Sequence, residues 1–273
     1  MTFSIIVVCM NAGKKLHRTI ESILSQTETD YEILVKDGGS TDGSVEALKP
    51  NDRIRVHCEK DEGIYSAMNQ ALRRVQGDYI CFLNCGDYFY DEKVLQRVKR
   101  RIMQSKDDRP AIFYGNIRER RTGTKVQSNP VIDDFACYRN LPCHQACFYD
   151  KKLFSIRLFN SQYRVRADYE HFLWCFYEAK AKAVYMPLTI ASYEGGGFSE
   201  SKIGKRLSKR EHKEIVARYI PKKKARKYRL FMILTLAPLR TWIAGNPKTA
   251  GTYQKIKKRV YKGRKHIKAT GKR

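Results

Sequence analysis

The chain has 273 residues and a formal net charge of +26, with 54 Lys and Arg residues against 28 Asp and Glu residues. The charge is concentrated at the C-terminal end. Residues 202–273 carry 25 basic and 2 acidic residues, which leaves residues 1–201 at a net charge of +3. Hydrophobic residues make up 42% of the chain, which is enough for a real core and excludes a largely disordered polycation. The length suits one large α/β domain with an appendage, or two small domains.

The basic C-terminal end is expected to attract a polyanion, either nucleic acid or the anionic face of a bilayer. The alternative is a solvated segment that only aids solubility. Residues 226–245 hold about 15 largely apolar positions, fewer than the roughly 20 that span a bilayer, and Pro238 and Arg240 interrupt them. An interfacial helix fits this segment better, and a helix packed on the body is the alternative. The residues expected to enter lipid are Leu230, Phe231, Ile233, Leu234 and Trp242.

Eight cysteines are scattered along the chain without a CxxC pair, and no signal peptide precedes the first apolar run, Phe3–Val8. This pattern predicts a reduced, cytosolic protein whose cysteines serve as small core residues. A zinc site is an open alternative, although its spacing matches no tight ligand pattern. Its ligands would be Cys137, Cys143, His144 and Cys147.

The first 90 residues alternate between strand and helix patterns. Strands are predicted at Phe3–Cys9, Tyr31–Lys36, Ile54–Cys58 and Tyr79–Leu83, and helices around Leu16–Leu24 and at Ile64–Val75. Such alternation predicts right-handed βαβ units and a parallel sheet. Ligands of such sheets bind beyond the carboxyl ends of the strands, so the loops at 8–11, 37–43, 59–63 and 84–88 are expected to surround one crevice.

The pattern changes after residue 110. Strands are predicted at Ala111–Ile117, Thr124–Gln127, Cys143–Tyr149 and Ala183–Met186, with a helix at Ala167–Ala179. We interpret residues 1–110 and 111–200 as the two halves of one domain with a mixed sheet; the resemblance described below implies that the first half binds a nucleotide sugar and the second an acceptor. Residues 201–273 form a basic, partly amphipathic extension that is predicted to associate with a membrane.

Two carboxylates stand at predicted strand ends. Asp87 follows the apolar run 79–83, and a lone carboxylate there suits Mg²⁺, which takes one or two protein carboxylates and completes its shell with phosphate and water. Asp37 opens a Gly- and Ser-rich loop, where it can accept hydrogen bonds from a base or ribose. Each residue alone also fits an ordinary turn or helix cap.

The order of these segments resembles family-two glycosyltransferases, of the bacterial surface-polysaccharide type. The matching pieces are Ser4-Ile-Ile-Val with Asn11, Ser22-Ile-Leu-Ser-Gln-Thr27, Asp37-Gly-Gly-Ser-Thr-Asp-Gly43, Glu59-Lys-Asp-Glu-Gly-Ile-Tyr-Ser-Ala-Met-Asn69 and Gly77-Asp-Tyr-Ile-Cys-Phe-Leu-Asn-Cys-Gly-Asp87. The resemblance covers roughly residues 3–200. It implies an α/β GT-A fold, Rossmann-like with a mixed, mainly parallel sheet. It also implies a nucleotide-diphosphate sugar donor, a divalent cation (Mg²⁺ or Mn²⁺) and inversion at the anomeric carbon.

Carried over by position, the resemblance implies a set of donor-binding residues. They are Val8, Asn11, Asp37, Asp61, Asn69, Gly86 and Asp87. Asp87 matches the metal-binding end of the DXD-type motif. There are two departures: Gly86 stands where Asp is commoner, which leaves one carboxylate, and Ser66 stands where relatives of this branch often have Asp.

The acceptor side is assigned to the segment Val165–Phe172. The family places an acidic general base at the opening of this helix, and Asp168 matches it, with Glu170 as the second choice. The alternative for Asp168 is a helix cap. The resemblance also gives His144, with Gln145, contact with the diphosphate or the acceptor. The loop 195–199 is predicted either to close over the donor or to act as an ordinary linker.

The sequence therefore predicts an inverting glycosyltransferase that moves a sugar to a glycan acceptor, lipid-linked, in cell-surface polysaccharide synthesis. The basic extension would hold it in the cytoplasm, on the inner face of the cell membrane. One rival is a sugar nucleotidyltransferase, although only Asn11-Ala-Gly13 and two lysines follow the first strand where that group has a phosphate loop. The other rival is nucleic-acid binding by the extension, where Tyr219, Tyr228, Tyr253 and Tyr261 can stack on bases, but no recognised nucleic-acid module is present.

Overall fold

The computed structural model describes residues 1–105, 107–197 and 200–270, with side chains through residue 260. Its strands are β1 (Phe3–Cys9), β2 (Tyr31–Asp37), β3 (Ile54–Cys58), β4 (Tyr79–Phe82), β5 (Tyr88–Phe89), β6 (Ala111–Glu119), β7 (Thr124–Val126), β8 (Cys147–Asp150) and β9 (Lys182–Tyr193). Its helices are α1 (Lys14–Leu24), α2 (Ile64–Leu72), α3 (Val94–Met103), α4 (Asp134–Arg139), α5 (Lys151–Ile156), α6 (Ala167–Tyr177), α7 (Lys202–Tyr219), α8 (Lys222–Leu234), α9 (Ala237–Gly245) and α10 (Pro247–Thr270).

All nine strands form one sheet in the order β3-β2-β1-β4-β8-β6-β9-β5, with β7 beside β6. The first four strands are parallel, and β1 lies between β2 and β4. This central position buries β1 on both faces and explains its continuous apolar sequence. The register pairs Cys9 with Asp37, and Asp37 with Cys58, so the carboxyl ends of three strands lie side by side as predicted.

The second half of the sheet is mixed, because β8 runs antiparallel to β4 and β6, whereas the long β9 is parallel to β6. The predicted α/β class with a mixed, mainly parallel sheet is confirmed. Strand β9 continues well past the predicted end at Met186. Pro187 does not stop it because the β6–β9 register shifts at this point, and a bulge tolerates a residue without an N–H group.

The prediction of a strand over Cys143–Tyr149 is wrong in its first half. Residues His144–Ala146 form a single 3₁₀ turn, and β8 begins only at Cys147. The Ala146 N–H donates to the Cys143 carbonyl (2.9 Å), so the backbone bonds within the turn instead of along the sheet. In a strand, His144 and Gln145 would point to opposite faces, whereas the turn lets both side chains reach one cavity.

Two hydrophobic cores cover the two faces of the sheet. One contains α1 and α3, and the other contains residues of α2, α5, α6 and α7. From α7, Ile215 and Val216 are buried in the second core, together with Ile220 directly after the helix. The strongly basic extension therefore begins with a helix that is part of the core.

Helices α8, α9 and α10 leave much apolar surface exposed. Helix α8 packs on the body through Tyr228 and Phe231, whose rings contact Phe135 at centroid distances of 5.3 and 5.2 Å. The exposed apolar residues of these helices include Leu230, Ile233, Leu234, Leu239, Trp242 and Ile256. Among the described residues, no helix combines the length and the apolar character needed to cross a bilayer.

Candidate active site

A cavity of about 610 Å³ opens where the end of β4, the 3₁₀ turn and the first turn of α6 meet. Its wall includes Asp87, His144 and Asp168, three of the residues predicted from the sequence. The fold thus brings together two carboxylates that are 81 positions apart in the chain numbering.

Asp87 is buried at the floor of the cavity and is held by two donors. Its Oδ1 accepts a hydrogen bond from the Glu194 N–H, and its Oδ2 accepts one from Gln145 Nε2, both at 2.8 Å. Burial raises the pKa of the Asp87 carboxyl above its ordinary value, although these two hydrogen bonds act in the opposite direction. A buried carboxylate of this kind favours a nearby cation.

Asp168 lies in the first turn of α6 and is about a quarter exposed to the cavity. Its Oδ1 accepts a hydrogen bond from the Tyr65 hydroxyl (2.8 Å), and its Oδ2 lies 3.2 Å from His144 Nδ1. Burial would raise the pKa of Asp168, but the hydrogen bonds from His144 and Tyr65 outweigh it and lower the pKa below its ordinary value. The carboxylate is therefore ionised at neutral pH and able to accept a proton.

The alternative of a helix cap does not describe Asp168. The N-cap residue of α6 is Arg166, which makes no side-chain capping bond. The loop before the helix is held instead by the buried carboxylate of Glu211 in α7. Glu211 accepts the N–H groups of Arg164, Val165 and Arg166 at 2.9, 3.1 and 2.9 Å.

Glu170, the second choice for the base, does not line the cavity. Its side chain is fully buried and forms an ion pair with Arg157, with Oε1 at 2.7 Å from the guanidinium, and it accepts a hydrogen bond from the Tyr219 hydroxyl (2.5 Å). These contacts join α6 to α7 and to the segment after α5. The placement of Glu170 favours Asp168 as the candidate base.

The predicted donor-binding residues at the ends of β1 and β2 form a second group outside this cavity. Asp37 is buried, and its carboxylate accepts the N–H groups of Gly39 (3.1 Å) and Ser40 (2.9 Å). Burial raises its pKa, but hydrogen bonds from Ser40 and Gly39 offset this and lower the pKa overall. Asn11 accepts the Thr41 N–H (2.9 Å), which ties the β1 loop to the β2 loop. Val8 is half-buried on β1 beside Lys36.

Lys36 is a fully buried cation that holds the ends of β2 and β3. Its Nζ donates to the carbonyl oxygens of Asp37 (2.7 Å) and Glu59 (2.5 Å) and to Asp61 Oδ2 (3.1 Å). Asp61 also accepts the Gly63 N–H (3.0 Å). Asn69, predicted near the ribose or sugar, bonds with both ends of its amide to the backbone of Phe159, at 2.9 and 3.0 Å.

A family model described as glycosyl transferase family 2 matches residues 4–164, more than half of the chain. The chain belongs to glycosyltransferase family 2. A PGL/p-HBAD biosynthesis glycosyltransferase of Mycobacterium bovis (strain BCG / Pasteur 1173P2) is 34% identical over 215 residues, which cover 76% of this chain and 83% of the relative. The predicted family and the prediction of a glycosyltransferase enzyme are confirmed.

Solved structures of similar fold include two nucleotide-sugar complexes. S. aureus TarS 1-349 in complex with UDP-GlcNAc has a TM-score of 0.61 at 16% identity, and the match covers 82% of this chain and 69% of that one. The mannosyltransferase PcManGT from Pyrobaculum calidifontis, in complex with GDP-Man and Mn²⁺, has a TM-score of 0.61 at 15% identity, covering 79% and 64%. The chain spans less than two thirds of PcManGT and of one other TarS 1-349 structure. These similarities confirm the GT-A fold.

The structure explains why this family member has Gly at position 86. Gly86 has a φ of 96°, and a Cβ atom there would lie 2.3 Å from Glu194 Oε2. The Glu194 carboxylate thus fills the space next to Asp87, and it forms ion pairs with Lys15 (2.9 Å) and Arg120 (3.4 Å). A second carboxylate is present near Asp87, but it comes from the loop after β9.

The residues near Asp87 fit a divalent cation in their chemistry. Asn84, in the same turn, has a buried amide oxygen with no hydrogen-bond partner among the described residues. One carboxylate and one amide oxygen suit a Mg²⁺ or Mn²⁺ ion that takes most of its ligands from substrate phosphates and water. The part of the chain that the structure describes contains no group of three or more His, Cys, Asp or Glu side chains able to hold a metal ion by themselves.

That observation also contradicts the zinc alternative. Cys137 and Cys147 are buried core residues, and the Cys147 thiol donates to the Cys143 carbonyl at 3.3 Å. Five of the eight cysteines are buried and act as the small core residues that the composition indicates, whereas Cys85 and Cys143 are half-buried and Cys58 is exposed.

Several residues of the site were not predicted from the sequence as site residues. Tyr65 and Asn84 stood within the recognised motifs without an assigned role, and Gln145 was named only beside His144. Glu194, Glu211 and Lys257 lie far from those motifs, and only the folded chain brings them to the cavity or to the loop beside it. Of the loop 195–199, residues 195–197 line the cavity, whereas Phe198 and Ser199 lie outside the described residues.

Proposed function

We propose that this protein is an inverting glycosyltransferase that moves a sugar from a nucleotide diphosphate to an acceptor hydroxyl, with Asp168 as the general base. The observation that carries the proposal is that Asp87 and Asp168 face one cavity in the same family-two fold. An inverting transfer requires a base on the side of the anomeric carbon opposite the departing diphosphate. Of the two carboxylates in the cavity, Asp168 serves as the base, and Asp87 serves the side of the departing diphosphate.

On the donor side, the loops after β1, β2 and β4 bind the nucleotide. Val8 and Asn11 contribute from β1 and its loop, Asp37 from the end of β2, and Asp61 from the segment after β3. Asn84 and Asp87 would hold a divalent cation. When bound, this cation neutralises the negative charge that grows on the departing diphosphate. Gln145 and the Glu194 N–H fix the orientation of the Asp87 carboxylate.

On the acceptor side, Asp168 removes the hydroxyl proton as the new glycosidic bond forms. His144 and Tyr65 hold its two carboxylate oxygens and keep them ionised. Proton removal of this kind typically contributes about 10²–10⁴-fold to the rate. His144 Nε2 lies 3.3 Å from Asn84 Nδ2, so a chain of polar contacts joins the base to the turn that carries Asp87.

The test is the substitution Asp168→Asn, assayed for transfer of radiolabelled sugar and for donor binding by calorimetry with Mn²⁺. We expect transfer to fall by about 10²-fold or more, with donor affinity unchanged. The matched control is Glu178→Gln, an exposed acid after the same helix, which should retain activity. Unchanged turnover in Asp168→Asn would remove this residue from the role. Release of pyrophosphate instead of nucleoside diphosphate would favour the nucleotidyltransferase.

The proposed acceptor is a lipid-linked glycan at the cytoplasmic leaflet, in cell-surface polysaccharide synthesis. Support comes from α8–α10, where exposed apolar side chains stand among basic ones, the composition of helices that lie in a membrane interface. The donor can be identified by a thermal-shift panel of nucleotide sugars with and without Mn²⁺, because a ligand of the folded state raises its melting temperature.

A further inference from the structure

Part of the cavity wall is built by the second half of the chain and by the C-terminal extension. Val126 ends β7 and residues 127–129 follow it, Arg139 ends α4, and Lys257 lies in α10; all of them line the cavity. Lys257 Nζ donates a hydrogen bond to the Gln127 carbonyl oxygen (2.8 Å), which fixes α10 against this wall. The extension therefore contributes a charged side chain to the candidate active site.

Basic side chains outnumber acidic ones on the described cavity wall. The basic residues are Lys15, Arg139, Arg164, Arg166 and Lys257, and the acidic residues are Asp87, Asp168 and Glu194. The acidic groups are already engaged: Glu194 with Lys15, Asp168 with His144, and Asp87 with Gln145. Among the residues whose side chains the structure describes, no carboxylate forms an ion pair with Arg139.

Arg139 and Lys257 are close enough for their charges to repel. Burial, together with the charge of Arg139, lowers the pKa of Lys257 to about 8. Two like charges in a partly desolvated wall raise the free energy of the empty site, and a bound anion offsets that repulsion. Arg and Lys side chains are also the donors that form the strongest hydrogen bonds with phosphate and carboxylate oxygens.

We infer that the acceptor carries an anionic group, a phosphate or a carboxylate, and that Arg139 and Lys257 bind it while Asp168 faces the acceptor hydroxyl. This inference rests on the proposed function, which assigns the nucleotide diphosphate to the loops after β1, β2 and β4. Arg139 and Lys257 belong to α4 and α10 and not to the donor loops, so we assign the anion that they bind to the acceptor.

The experiment measures anion binding to the full-length chain by calorimetry, with Mn²⁺ and a saturating nucleoside diphosphate (UDP or GDP, whichever binds) so that the donor site is occupied. The probes are farnesyl phosphate, farnesol and methyl glucuronide. We expect one anionic probe to bind, and farnesol to bind at least about tenfold more weakly than farnesyl phosphate if the group is a phosphate. Binding of methyl glucuronide instead would identify a carboxylate of the glycan.

The variants are Lys257→Met and Arg139→Gln. Each substitution should lower the affinity for the anionic probe about tenfold or more, because one charge-assisted hydrogen bond is lost. Lys257→Arg keeps the charge and should restore most of the affinity. The matched control is Lys255→Met, which removes an exposed lysine from the same helix and should change nothing.

The inference is overturned if neither anionic probe binds, or if both basic variants bind the probe as the unsubstituted protein does. Nucleotide affinity, measured in the same samples, separates this result from failure of the proposed function. If the variants bind nucleotide normally and also bind the anionic probe normally, the inference of an anionic acceptor is contradicted but the proposed glycosyl transfer is not. Absence of any nucleotide-diphosphate binding contradicts the proposed glycosyl transfer itself.

Discussion

At the scale of single residues, the contacts of Asp168 explain how a carboxylate in a partly buried site stays ionised. One oxygen faces the Tyr65 hydroxyl and the other faces His144, and both contacts favour the charged form. A lowered pKa stabilises the folded chain above the ordinary carboxyl pKa, and that stabilisation is lost as the pH falls through the folded-state pKa.

Substitution of Tyr65 by Phe should therefore raise the pKa of Asp168. The acid limb of the kcat/KM profile should move to higher pH, whereas the activity at neutral pH should change little. Assaying transfer over a pH series tests this expectation, with Tyr163→Phe as the control because its hydroxyl bonds to Glu214 and not to the base. An acid limb that stays in place in Tyr65→Phe would show that Asp168 does not set it.

The residue scale also shows where the sequence is informative. Asp87 and Asp168 could be found because each opens or follows a regular element in a recognised motif. Tyr65 could not be given a role, and the hydrogen bond from Gln145 to Asp87 could not be foreseen, because hydrogen-bond partners far apart in the chain are set by the fold. The Gly- and Ser-rich composition of residues 37–43 correctly indicated a turn. The Asp37 carboxylate stabilises that turn by accepting the N–H groups of Gly39 and Ser40.

At the scale of elements, α7 positions the start of α6. Glu211 accepts three successive N–H groups of the loop 164–166, directly before the helix that carries Asp168. The carboxylate is buried and also stands at the positive end of the α6 dipole, so it stabilises the loop by hydrogen bonding and by charge.

Glu211→Gln keeps one acceptor oxygen and loses the charge. We expect a loss of about 1–3 kcal/mol in the free energy of unfolding and a fall in kcat of about tenfold, because the base is no longer held in place. The donor KM should be unchanged, since Glu211 does not belong to the donor loops. Denaturant unfolding and steady-state kinetics measure the two effects.

The control for this prediction is Glu214→Gln on the same helix, where an exposed carboxylate bonds only to the Tyr163 hydroxyl among the described residues. It should alter neither quantity noticeably. A Glu211→Gln variant of lowered stability but normal kcat would mean that the loop is structural only.

Elements were predicted from the sequence with uneven success, and the reasons are physical. The apolar runs of β1, β2 and β4 were found because parallel strands buried on both faces have no polar alternation. The 3₁₀ turn at 144–146 was missed because three residues carry no periodicity. Helix α7 was assigned to the extension because its charge conceals the few residues that it buries.

At the scale of the whole molecule, charge and apolar surface are concentrated together. The extension holds a net +23. Its exposed Leu234 lies on α8, which packs on the body through Tyr228 and Phe231, and its exposed Trp242 lies on α9, which contacts α8 and α10. Each basic residue near an anionic surface contributes roughly 1 kcal/mol of attraction, which salt screens. This arrangement suits a protein that rests on a bilayer.

The double substitution Leu234→Ser with Trp242→Ser should weaken binding to anionic vesicles, measured by flotation, by about a hundredfold or more, since burial of the two side chains contributes about 3 kcal/mol or more. Binding of the unsubstituted chain should fall in about 0.5 M salt. Met103→Ser, which removes an exposed apolar residue of the body, serves as the control. Preferential binding to nucleic acid in a parallel gel-shift assay would contradict the membrane assignment.

The buried Lys36 makes the shape of the nucleotide loops insensitive to ionic strength, in contrast to the exposed charges of the C-terminal extension. Its ammonium group is shielded from solvent, so dissolved ions cannot compete for the three oxygens that it joins. Under the proposed membrane attachment, a salt wash should release the protein from lipid while the nucleotide loops keep their shape. Extraction with a high-salt buffer, without detergent, should yield a protein that still binds its nucleotide-sugar donor.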